Sequence, residues 1–187
     1  MILTQPFIEA IRRRRTHYFR LETASLSWDK VFDWLDMYDA HDQKYISISD
    51  RGIGRINFYP VFDLNKRHLP PFVAQIKSEW TRTFDRNNVS CQVFANWHKD
   101  AESFPKHKDP MDVCYIQCHG SVVLRVSHEE DSPSIFSRQL DPGDGIWIPR
   151  GKWHHIEVKG PRIGLSVGVE NPKIDKNTVD LDPSSYI

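Results

Sequence analysis

From Val89 onward the chain abandons helical spacing and alternates apolar with polar residues in short runs. The runs are Val89–Trp97, Asp112–His119, Val122–Val126, Ile135–Leu140, Gly145–Ile148, His154–Lys159 and Arg162–Glu170. A period of two places one face of each run on a core, which is the demand of a β-sheet. Runs this short, separated by turn signals such as Asp141-Pro142-Gly143-Asp144 and Gly160-Pro161, predict a barrel-like or double-sheet β architecture. Upstream, helices are predicted over Pro6–Phe19, Ser27–Ala40 and Pro71–Phe84, with Ser27 placed to cap the second. Lys44–Ser49 and Ile53–Phe62 alternate on either side of Asp50-Arg51-Gly52 and read as a hairpin. One domain is expected across 1–187: supporting helices and hairpin in 1–88, a β-barrel core in 89–170 and an arm in 171–187.

Within this frame the stretch from Leu140 to His155, LDPGDGIWIPRGKWHH, runs turn, strand, turn, histidine. Breakers stop the strand Ile146-Trp147-Ile148 on both sides, so the first histidine enters the next strand with little freedom. Such rigidity suits a metal ligand. Upstream, His107 and Asp109 stand two apart before a long strand, a spacing that puts an imidazole and a carboxylate on one face. With His154 from a neighbouring strand they make two histidines and one carboxylate with positions left open, the arrangement of non-haem Fe(II) oxygenases. His155 competes for the role, but adjacent rings on a strand face opposite ways, and His155 reads as a supporting residue. His17, His41, His68, His98, His119 and His128 have no partner at ligand spacing.

Gly143, Pro149, Gly151 and His154 carry the spacing of the second cupin motif, with Val158 where cupins usually have asparagine. His107-Lys108-Asp109 and Gly120 stand where the first cupin motif has its ligands and its closing glycine. On these residues the C-terminal half resembles the Jumonji-C-like and cupin-like branch of the 2-oxoglutarate-dependent oxygenases. The resemblance implies a double-stranded β-helix (a jelly-roll barrel) buttressed by the N-terminal helices, with Fe(II) on His107, Asp109 and His154. IPRGKWHHIE, and DPGD followed by IP, are similar to stretches of protein hydroxylases in that branch, which implies a protein or peptide substrate. Small molecules and nucleobases are handled by the same architecture and stay open as substrates.

Such an oxygenase also needs a buried cation for the distal carboxylate of 2-oxoglutarate, because an unpaired carboxylate in a barrel is too costly. Jumonji-like relatives place a Lys or Arg on the strand after the HxD motif, but the matching position here is Val122, which carries no charge. The last run offers a replacement: Arg162, Gly164, Ser166 and Gly168 share one face, with a guanidinium fork and a hydroxyl to take a carboxylate. Arg125 is the alternative. The expected function is therefore an Fe(II)- and 2-oxoglutarate-dependent dioxygenase, a hydroxylase using dioxygen. A cupin-like metal-binding module or isomerase that leaves oxygen alone, and a silent scaffold, are the rival classes.

Charge narrows the partners. The 25 basic and 25 acidic residues cancel, so no global field recruits nucleic acid or a membrane. The local run Arg12–Arg15 keeps nucleic acid open as a partner, although a solvated helix end explains it better. Cys91, Cys114 and Cys118 lack CxxC spacing and read as small buried hydrophobes in a reducing compartment. A zinc site from Cys114, Cys118 and His119 is opposed by strand parity. No apolar window approaches a membrane span, the first residues do not read as a signal peptide, and a cytoplasmic location is expected.

Overall fold

The computed structural model describes residues 3–22, 24–33, 46–50, 56–63, 71–84, 89–97 and 102–169. Among these residues eleven strands form two antiparallel sheets. The larger, in order β1-β9-β6-β11-β4-β3-β2, comprises β1 His17–Arg20, β2 Ile46–Asp50, β3 Ile56–Asp63, β4 Val89–Asn96, β6 Asp112–His119, β9 Asp144–Ile148 and β11 Arg162–Val169. The smaller, in order β5-β10-β7-β8, comprises β5 His107–Lys108, β7 Val122–Ser127, β8 Ser134–Leu140 and β10 Trp153–Val158. This is the double-sheet β architecture that the alternating runs predict, and the jelly-roll that the resemblance implies.

Parity along the strands sorts side chains into two cores. Val113, Tyr115, Val122, Leu124, Val126, Leu140, Ile146 and Ile148 pack between the sheets. The alternate residues, Cys114, Ile116, Cys118, Trp147, Ile163, Leu165, Val167 and Val169, line the other face of the large sheet. There they pack with Phe7 and Ile11 of α1 (Gln5–Arg12) and with Phe72, Ile76 and Trp80 of α2 (Pro71–Phe84). The spacing of Phe72, Ile76 and Trp80 is one turn of helix each, which is how α2 presents a single apolar stripe. Phe7 is the hinge of this layer, with its ring centroid 4.8 Å from Phe19 and 5.6 Å from Trp80.

The first helix stops early. Rather than running to Phe19 it ends at Arg12, Arg14 takes a left-handed φ of 53°, and Arg15 and Arg14 donate their N–H groups to Ala10 and Ile11. That is a Schellman stop with arginine in the position glycine usually holds. His17–Arg20 then pairs with β9, setting Phe19 opposite Gly145, so tertiary pairing overrides local helical preference. The second helix is observed over 28–33, with the Lys30 N–H donated to Ser27 Oγ at 3.3 Å; the remainder of the predicted Ser27–Ala40 span lies outside the described residues. So does the tail over 171–187. The expected hairpin is present as β2 and β3, and it extends the large sheet beside β4.

Candidate metal and co-substrate site

The turn before β10 is locked to the loop after β5. Gly151 donates its N–H to Asp109 O at 3.0 Å, and Arg150 donates its N–H to Asp112 Oδ1 at 2.8 Å. Ahead of it, Gly143 adopts φ 94° where a Cβ would meet Leu21 O at 2.6 Å, so this turn admits little but glycine. Strand pairing then sets His154 directly opposite His107 on β5.

His107, Asp109 and His154 consequently offer ligand atoms that all lie within 4.8 Å of one another, and no other such group forms among the described residues. His154 Nε2 is 3.3 Å from Asp109 Oδ2 and His107 Nε2 is 3.8 Å from Asp109 Oδ1. Each ring is aimed by its other nitrogen. His107 Nδ1 donates to Pro105 O at 2.9 Å and His154 Nδ1 to Lys152 O at 3.1 Å, and since carbonyls only accept, both Nε2 atoms face the cluster. Burial, and then His154, push the His107 imidazole below its ordinary value. Burial also opposes charge on His154, but the Asp109 hydrogen bond and charge outweigh it and raise that imidazole. Burial would lift the Asp109 carboxyl, yet the two imidazoles hold it low. The two imidazole nitrogens and the carboxylate could hold a divalent cation, and the donor set is one suited to Fe(II).

A second polar cluster lies deeper between the sheets. Arg162 is only 2% exposed, and its guanidinium donates from Nε to Asn96 Oδ1 at 2.7 Å, from Nη1 to the Tyr115 hydroxyl at 3.0 Å and from Nη2 to Ser103 Oγ at 3.3 Å. All three partners are neutral. Among the described residues no carboxylate pairs with this buried cation, and three of the five N–H donors of a guanidinium are used. The chain from Ser103 to His107 joins the two clusters: Ser103 touches Arg162, the Phe104 ring centroid is 5.9 Å from that of His107, and Pro105 orients His107. Four residues of chain span at most roughly 14 Å, which bounds how far apart Ser103 and His107 can lie.

The sequence matches the JmjC domain family over residues 71–176, more than half of the chain. The chain belongs to that family. Solved structures agree on the fold. The JmjC chain aligns with the Escherichia coli ribosomal oxygenase YcfD at TM-score 0.61 and 19% identity, covering 92% of this chain and 53% of that one. With YcfD in complex with cobalt and 2-oxoglutarate the values are 0.62 and 17%, covering 91% and 53%. The non-haem alpha-ketoglutarate-dependent carbocyclase SnoK from nogalamycin biosynthesis aligns at 0.55 and 12%, covering 90% and 84%. The JmjC chain thus spans about half the length of YcfD. A comparison with curated proteins returns no match by sequence.

Around the JmjC site the other sequence candidates sort by strand face. Val122 is fully buried between the sheets and carries no charge toward the site. Arg125 lies on the opposite face of β7, bonded to Glu157 at 2.6 Å and partly exposed. His155 turns away from the triad and donates Nδ1 to Phe104 O at 3.2 Å, bracing the linking chain from behind. Ser166 shares the inward row with Arg162 but stands four residues along β11, on the order of 13 Å away. The hydroxyls beside the guanidinium belong to Tyr115 and Ser103 instead.

Tyr115, Asn96 and Ser103 were not singled out by spacing. The signal was the row of glycines on β11: a Cβ at Gly164 would come within 2.2 Å of the Tyr115 hydroxyl, so the missing side chain is the space in which that ring lies. Cys114 and Cys118 are buried outside any disulfide on the helix-covered face, and they form no metal cluster with His119; the side chain of Cys91 lies outside the described residues. Of the arginine run, Arg13 pairs with Glu9 and Arg14 donates to Arg150 O at 3.2 Å, while all four remain exposed. No helix among the described residues is long and apolar enough to cross a membrane.

Proposed function

We propose that this JmjC domain is an Fe(II)- and 2-oxoglutarate-dependent dioxygenase that hydroxylates a protein or peptide side chain. The observation that carries this reading is a buried guanidinium that no carboxylate among the described residues pairs with, one short strap of chain from a cluster of two histidines and one aspartate. His107, Asp109 and His154 would hold the iron. Bound iron would supply the redox chemistry that couples decarboxylation of 2-oxoglutarate, with dioxygen, to oxidation of a C–H bond.

The chain's own residues would do the rest. Arg162, two of whose N–H donors have no partner among the described residues, would take the distal carboxylate of 2-oxoglutarate, so that burial of that anion would be matched by burial of the cation already present. Val122, Leu124 and Val126 line the space between the sheets with apolar surface, which excludes water from the buried carboxylate. A protein substrate is favoured because the structurally similar YcfD is a ribosomal oxygenase.

The test is succinate release from 2-oxoglutarate by Fe(II)-loaded protein in air, with 2-oxoglutarate binding to the Mn(II) form by calorimetry. Turnover, stimulated by a peptide or protein substrate, is expected. A protein that binds Fe(II) tightly but takes up no 2-oxoglutarate would instead be a cupin-like metal-binding module.

A further inference from the structure

Behind the Arg162 clamp lies a residue hydrogen-bonded to neither the guanidinium nor the triad. Gln117 is fully buried, and its side-chain amide donates Nε2 to His119 O at 2.6 Å and to Gly120 O at 3.1 Å. Backbone carbonyls accept only, so the amide has one permitted orientation, with Oε1 turned to Tyr115. Tyr115 donates its hydroxyl proton to that oxygen at 2.6 Å. A phenol has a single proton to give; with it committed to Gln117, the oxygen presents lone pairs to Arg162 Nη1, 3.0 Å away. Burial first of all pushes the Tyr115 phenol above its ordinary value, so the hydroxyl stays neutral. The whole chain of bonds, from two main-chain carbonyls through an amide and a phenol to a guanidinium, runs in one direction and carries no negative charge.

We propose that Gln117 is a positioning residue for the co-substrate: through Tyr115 it sets the direction in which Arg162 is held, and its neutrality leaves the cation for an incoming carboxylate. This rests on the assignment of Arg162 as the co-substrate site. A glutamate of the same shape separates charge from fit. Ionised, it turns lone pairs toward the carbonyls of His119 and Gly120 and places a negative charge one hydroxyl away from Arg162. Protonated, it gives its single proton to one of those carbonyls, keeps an acceptor for Tyr115 and restores the native pattern.

The experiment is calorimetry of 2-oxoglutarate with the Mn(II)-saturated full chain at mildly acidic and mildly alkaline pH. It compares the wild type with Gln117→Glu, Gln117→Leu, Tyr115→Phe and Arg162→Met. Metal affinity should be unchanged throughout. Gln117→Leu and Tyr115→Phe should each weaken 2-oxoglutarate binding about tenfold, the scale of one hydrogen bond to a charged group. Gln117→Glu should be weaker still at alkaline pH and recover toward wild type at acidic pH, while the wild type changes little across that interval. Wild-type affinity in Tyr115→Phe and the Gln117 variants, with Arg162→Met still defective, would overturn the role of Gln117 and leave the Arg162 site standing. Wild-type affinity in Arg162→Met as well would remove the site on which the role depends. Tyr115→Phe keeps the ring that lies over Gly164, so it decides the matter even where a Gln117 variant does not fold.

Discussion

The two polar clusters inside the barrel are built on opposite plans. The triad sits where two-residue β5 meets β10 in the small sheet, its imidazoles aimed by main-chain carbonyls, and it contains its own negative charge in Asp109. Arg162 stands on β11, flanked by β4 and β6 within the large sheet, aimed by the side chains of Asn96, Tyr115 and Ser103, and among the described residues no carboxylate answers its charge. Under the proposed function a metal held by the first cluster and chelated by a dicarboxylate would bring an anion to the second, so that the pairing would say more than either cluster alone.

The strongest way to break this comparison is to remove a ligand. His107→Ala and His154→Ala should each abolish binding of Mn(II) or Fe(II), read by calorimetry or metal analysis, while His155→Ala retains it. Loss of metal in His155→Ala with retention in His154→Ala would reverse the assignment. Next comes Arg162→Met, expected to leave metal affinity intact and cost 2-oxoglutarate binding roughly 2–5 kcal/mol, the scale for truncating one partner of a buried charge pair. Equal losses of metal and co-substrate would mean that the two clusters are not separable.

Smaller effects sharpen the contrast. Gly164→Ala drives a methyl group into the space of the Tyr115 hydroxyl and should cost about 1–3 kcal/mol of stability by denaturant unfolding. The metal site should be untouched and the anion site weakened, since the displaced phenol is the one that holds Arg162. Smallest is Arg125→Ala, which should leave 2-oxoglutarate affinity unchanged and stability nearly so, because its pair with Glu157 is exposed and screened. A loss matching that of Arg162→Met would move the co-substrate to Arg125.

The two clusters were also unequally legible in the sequence. His107, Asp109 and His154 could be found because rigid turns and a period of two fix where ligands go, and both signals are local. β5 escaped notice because two residues have no period, and β1 because it follows four arginines that read as helix. Arg162 was legible by parity, but its partners come from β4, β6 and the chain before β5, at sequence separations of 66, 47 and 59. Pairings at such distances depend on strand order, which a single sequence does not disclose. Ser166 shows the cost: it shares a face with Arg162, and a shared face is not a shared contact.

The pairing of β1 with β9 bears on how this protein can be handled. The family match begins at residue 71, which invites trimming the chain to that boundary. Doing so would strip His17–Arg20 from Trp147, Ile146, Gly145 and Asp144, and uncover an apolar sheet edge next to the turn that presents His154. Exposed edges of this kind recruit other chains. A fragment cut at the family boundary should therefore express as aggregate even with every proposed ligand retained, and the shortest soluble version must keep the strand at His17.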